Sequence, residues 1–79
     1  MIRIKLMLIG YLKNKYLTDT INTIELSYKK PVKAGKVLED AKILPADVFI
    51  IKAEDSIIKE DYLLIESGEV KLFPVIGGG

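Results

Sequence analysis

The sequence predicts an α+β domain, a mixed sheet of four to five strands packed on one main helix. Three observations predict it. Apolar and polar residues alternate along Ile4–Ile9 and again along Ile24–Lys29, the period of a strand. Between Ala34 and Ala41 the apolar period changes to that of a helix. Short apolar runs broken by turn residues then return up to Phe73. A chain of 79 residues has room for a single core.

Each element follows from its residues. In the first strand Ile4, Leu6 and Leu8 point one way and Lys5, Met7 and Ile9 the other, and Gly10 ends it. Tyr11 to Thr20 is polar and aromatic, and reads as a turn or a short helix. Ile24, Leu26 and Tyr28 alternate with Glu25, Ser27 and Lys29 in a second strand, hairpin-paired with the first. Pro31 breaks the pattern. Ala34, Val37, Leu38 and Ala41 then form one stripe of an amphipathic helix that Pro45 closes. Gly35 weakens that helix by about 1 kcal/mol relative to Ala, so its first turn is expected to fray. The continuous run Val48-Phe49-Ile50-Ile51 predicts a strand buried on both faces. A turn over Ala53–Ser56 leads to a short strand at Ile57-Ile58, and Asp61–Ile65 reads as a tight turn or short helix. The last strand spans Glu69–Phe73, and Pro74 ends it. This order suits a sheet grasping one helix, with the first and last strands side by side.

Composition narrows the chemistry. The chain has no Cys and no His. It therefore lacks a thiol nucleophile, a disulfide framework and thiolate zinc ligands. The commonest general acid–base group and metal ligand is also missing. An autonomous enzyme is not expected, and no metal or tightly bound cofactor is. Ile2 to Ile9 is apolar but carries Arg3 and Lys5 and is too short to span a bilayer, so a cytoplasmic protein without membrane association is expected. Residues 1–42 hold nine Lys/Arg against four Asp/Glu, and residues 43–79 three against seven. The cluster Lys29, Lys30, Lys33 and Lys36 reads as the solvated side of the helix, and no nucleic-acid partner is expected.

The chain ends Leu72-Phe73-Pro74-Val75-Ile76-Gly77-Gly78-Gly79. With glycine at roughly 7% of residues, three in succession at a given place arise by chance only about three times in ten thousand. The run is therefore read as functional, with residues 1–74 as the folded domain and 75–79 as a flexible tail. Glycines lack Cβ atoms and pass through narrow channels in conformations that other residues resist. Such a tail presents a carboxylate on a slender arm. A carboxylate becomes electrophilic once it is converted to a mixed anhydride, for instance with the α-phosphate of ATP, and then accepts sulfur, an amine or a thiol.

At this ending the chain resembles the MoaD/ThiS family of ubiquitin-like, β-grasp sulfur carriers. "VKLFPVIGGG" resembles the family's terminal strand, Phe-Pro step and glycine tail. "IGYLKNKY" resembles the segment after the first strand in the molybdopterin branch, and "PVKAGKVLEDAKI" takes the place of the family helix. The chain departs from the family pattern at Ala53-Glu54-Asp55, where an Asn-Gly turn is usual, and at Glu66-Ser67-Gly68, where Asp-Gly-Asp is. Pro31 stands where a threonine commonly opens the helix. The branch stays open.

The resemblance implies a sulfur carrier. On that likeness a ubiquitin-activating-type enzyme would adenylate Gly79 with ATP and Mg2+, a persulfide donor would convert it to a thiocarboxylate, and a synthase subunit would take the sulfur into molybdopterin, thiamine-thiazole or a thiolated nucleoside. Gly77 and Gly78 would thread the partner's site. Two rival readings remain, a ubiquitin-like modifier conjugated through Gly79 and a plain interaction domain with an inert tail. Strand parity places Met7, Ile9 and Phe73 on the sheet's open face, with one of Phe49 and Ile51. These residues are either covered or tolerated there, or they form a docking patch that Pro74, Val75 and Ile76 extend. A patch of about 400 Å2 yields at most roughly 10 kcal/mol. Association costs roughly 4–15 kcal/mol, so the patch alone binds weakly.

Overall fold

The computed structural model of the chain describes residues 1–17 and 23–75. β1 (Ile2–Leu8) turns at Gly10 into a short helix, α1 (Tyr11–Tyr16). β2 (Thr23–Tyr28) returns antiparallel to β1. β3 (Val32–Lys33) leads directly into α2 (Ala34–Asp40). A 3-10 turn at Pro45–Asp47 precedes β4 (Val48–Ala53), β5 (Ser56–Ile58), β6 (Leu63–Leu64) and β7 (Gly68–Pro74). The main sheet has five strands in the order β2-β1-β7-β4-β5. β7 lies parallel to β1 and antiparallel to β4. This is the β-grasp arrangement.

The alternation of β1 works as read. Ile4, Leu6 and Leu8 are buried and sit opposite Leu26 and Ile24 on one side and Val70 and Leu72 on the other. Val37, Leu38 and Ala34 of α2 close over this face together with Ile43, Ile51, Ile58 and Leu64. No polar side chain is buried among the described residues. The cohesion of this domain is therefore hydrophobic burial.

The structure corrects several expectations. Residues 63–64 are neither turn nor helix but β6, which pairs with β3 in a separate two-stranded ribbon. A two-residue strand has no period to read. The segment around β6 also explains α2. No side chain caps that helix; instead the Tyr62 carbonyl accepts the Ala34 N–H at 2.9 Å and the Glu60 carbonyl the Gly35 N–H at 2.8 Å. These two bonds satisfy donors that a helix start leaves unpaired, so the first turn is held and not frayed. Gly35 makes the approach possible. A Cβ there would lie 3.2 Å from both Cβ and O of Glu60. Gly35→Ala is expected to destabilise the fold by about 1 kcal/mol, because overpacking outweighs the helix-propensity gain. A urea midpoint equal to or above that of the wild type would sink this account.

Pro45 does not end α2. The helix ends at a Schellman motif, with Lys42 in the left-handed region (φ 61). The Ile43 N–H donates to Leu38 O at 2.9 Å and the Lys42 N–H to Glu39 O at 3.0 Å. Ile43 is 2% exposed and packs in the core with Leu38, the apolar contact that accompanies such a cap. The sequence places Lys where Gly is usual, so the stop signal was invisible. Beyond the stripe, Tyr28 O–H donates to the Asp40 carboxylate at 2.7 Å and ties β2 to the end of α2.

β4 is not buried on both faces. Ile51 faces the core opposite Leu72, whereas Phe49 is 68% exposed. The register slips between Val48 and Ile50, so Phe49 is the extra residue of a bulge. Ile50, not Phe49 or Ile51, therefore stands opposite Phe73. The β4–β5 turn has only two linking residues, and Glu54 takes a positive φ of 54 where Asn or Gly is usual.

Candidate functional site

The candidate site is the end of β7 and the sheet face around it. β7 occupies the sheet centre because both its neighbours supply full ladders. Its alternation buries Val70 and Leu72 and turns Lys71 and Phe73 to the face away from α2. Met7 lies beside Lys71 on that face, and the Ile9 N–H continues the ladder onto the Leu72 carbonyl at 3.0 Å. Ile50 stands opposite Phe73, and Ile57 opposite Lys52 is 69% exposed. The face thus brings Met7, Phe73, Ile50 and Ile57 together, with Ile9 at its end. Ile57 was legible in principle, since a buried Ile58 requires its neighbour to point outward. Ile50 was not, because the bulge shifts the parity.

Pro74 ends the strand opposite Val48 and beside Gly10, whose positive φ of 58 swings the chain from β1 into α1. Val75 is 49% exposed, and its N–H donates to the Asp47 carbonyl at 3.2 Å. Ile76, Gly77, Gly78 and Gly79 lie outside the described residues.

Asp47 forms the root of this exit. Its carboxylate accepts the Lys15 Nζ at 2.8 Å and the Tyr16 hydroxyl. The Tyr16 oxygen in turn accepts the Leu44 N–H at 3.2 Å, and Lys15 lies 5.5 Å from the Tyr16 ring centre. Leu12, fully buried, docks the helix that supplies both side chains. Nothing in the local pattern marked Lys15, Tyr16 or Asp47, because the cluster forms across more than thirty residues of chain.

The hydrogen bonds from Lys15 and Tyr16 hold the Asp47 carboxyl below its ordinary 3.8. A carboxyl lowered on folding adds stability above 3.8, and that contribution disappears as pH falls through the lower folded value. Asp47→Asn is expected to show a shallower loss of melting temperature across that acid limb than the wild type. Identical acid limbs would show that the cluster contributes nothing.

Among the described residues no group of His, Cys, Asp and Glu could hold a metal, and no helix is long and apolar enough to cross a membrane.

No protein-family model matches the chain, and no curated protein matches it. Solved structures match its fold. A Pyrococcus furiosus protein assigned as molybdopterin converting factor, subunit 1, is 11% identical with a TM-score of 0.72, over 96% of this chain and 100% of that one. SAMP1 from Haloferax volcanii is 13% identical with a TM-score of 0.70, over 98% and 99% of the two chains. At such identities the shared property is the backbone, a β-grasp fold over nearly the full length.

Proposed function

We propose that the chain is a ubiquitin-like sulfur carrier whose Gly79 carboxylate is activated by a partner and converted to a thiocarboxylate. The observation that carries this reading is the position of the glycine run. In the sequence it comes three residues after β7, the central strand of a β-grasp sheet, which ends at Pro74 beside a partly apolar face. The fold likeness to a molybdopterin converting factor subunit and to SAMP1 supports it.

The chemistry belongs to the partners. In a ubiquitin-activating-type enzyme, a Gly79 carboxylate oxygen attacks the α-phosphate of Mg2+-bound ATP and pyrophosphate leaves. The terminal sulfur of a persulfide then displaces AMP, and a thiol reduces the resulting acyl disulfide to free the thiocarboxylate. A synthase subunit takes the sulfur onward. The chain contributes a docking face (Met7, Ile9, Phe73), a tail root (Pro74, Val75) and a side-chain-poor arm (Ile76 to Gly79). Binding energy collected on the face positions the carboxylate in the nucleotide site, which is how remote contacts serve a reaction. The setting is the cytoplasm, where persulfide donors and ATP are at hand.

Intact-mass analysis of the protein purified from its own cells tests this. The expected result is a species heavier by the exchange of one oxygen for one sulfur. Glycine remnants on lysines of other proteins, without that species, would replace the carrier by a protein modifier. Neither product would leave an inert tail and sink both readings.

A further inference from the structure

The cross-strand neighbours of the open face can be followed residue by residue. One row runs Glu25, Lys5, Glu69 across β2, β1 and β7, so each charge stands beside its opposite. The next runs Thr23, Met7, Lys71, Lys52, Ile57 across all five strands of the main sheet. Here two lysines stand directly opposite one another, on adjacent strands at the middle of the row. Like charges so placed destabilise a sheet, the reverse of the arrangement one row away. Both lysines are half-buried. Among the described residues neither has an ion-pair partner, although Lys71 shares a shallow groove with Glu54, Asp55 and Glu69. Met7 and Ile57 flank the pair within its row, and the face is apolar toward the next row, where Phe73 stands opposite Ile50, whereas the row on the other side carries Lys5 and Glu69.

We infer that Lys52 and Lys71 form the charge-reading centre of the docking face, and that the face fits a protein surface presenting a carboxylate beside an apolar patch. The inference rests on the carrier reading, and the occupant is the adenylating partner. A carboxylate seated between the two ammonium groups removes their repulsion and gains two charge-assisted hydrogen bonds. The apolar residues on the Phe73 side keep water from that flank and strengthen both. Charge placed in this way selects the partner and speeds encounter more than it adds affinity, as a carrier that must be released requires. The two lysines give the face a specificity that the apolar residues lack.

The test uses the full chain and the host's own purified ubiquitin-activating-type enzyme, with ATP–pyrophosphate exchange as readout. Lys52→Glu is expected to raise the KM for the carrier about tenfold or more with kcat nearly unchanged. Lys52→Arg is expected to stay within about threefold of the wild type, since the charge is kept. In parallel, Lys52→Met is expected to raise the melting temperature by about 1–3 °C at low salt. That gain fades at about 1 M salt, where the repulsion is screened. A lower melting temperature would make the pair structural and overturn the inference. So would an unchanged KM in Lys52→Glu while the wild type supports exchange, and in that case the carrier reading stands. A wild type that supports no exchange sinks the carrier reading and this inference together. Self-association of the wild type, lost in Lys52→Glu, would assign the face to a second copy and overturn the partner named here.

Discussion

Leu12→Ala is expected to cost about 3 kcal/mol of unfolding free energy. Leu12 is fully buried, yet it sits on a helix of only six residues. Helices that short do not persist alone in water, so docking of this side chain is what keeps α1 formed. A domain of this size has only about 5–15 kcal/mol of stability in total, so the change is a large share of it. The effect reaches further than the core. α1 supplies Lys15 and Tyr16 to Asp47, and the Asp47 carbonyl holds the Val75 N–H. Hydrogen exchange at Val75 is therefore expected to quicken in Leu12→Ala more than exchange in β1. A urea-derived loss below about 1 kcal/mol would mean that α1 is not docked as described.

Deleting Gly78 and Gly79 is expected to abolish adenylation and sulfur loading while leaving the melting temperature where it was. Every described core residue precedes Phe73, so the deletion removes no known packing. What changes is reach. Two extended residues span about 7 Å, and the new carboxylate at Gly77 falls short of the partner's nucleotide by that distance. A misplacement of about 1 Å can cost about a hundredfold, so one of this size leaves no measurable reaction. The measurements are exchange of pyrophosphate into ATP and intact mass after incubation with the persulfide donor. A truncated chain that still gains sulfur would place the activated group elsewhere and end the carrier reading.

Much of this molecule follows from local rules. The two-residue period of Ile4, Leu6 and Leu8 names the buried face of β1, and the helical period of Ala34, Val37 and Leu38 names that of α2. Both patterns are short-range, and burial of one face enforces them. The same logic put Met7 and Phe73 on the outer face, while the glycine run is a property of composition alone. Ala41, the last residue of the expected stripe, falls at the C-cap and is only partly buried, because Lys42 turns the chain there.

Local pattern was enough for the α+β class, the strands that alternate and the buried stripe of the helix, and the glycine run is where the proposed tail chemistry was read. Folding of the whole chain alone produces the β3–β6 ribbon, the support of Gly35 by Glu60, the left-handed stop at Lys42, the bulge at Phe49 and the meeting of Lys15, Tyr16 and Asp47. It also set Lys52 against Lys71, two residues unremarkable in their own segments. The difference is one of range. Periodicity reports which side of one element meets the core. Pairing, close approach and charge opposition depend on residues distant along the chain, whose register is settled only when the whole sheet closes on its helix.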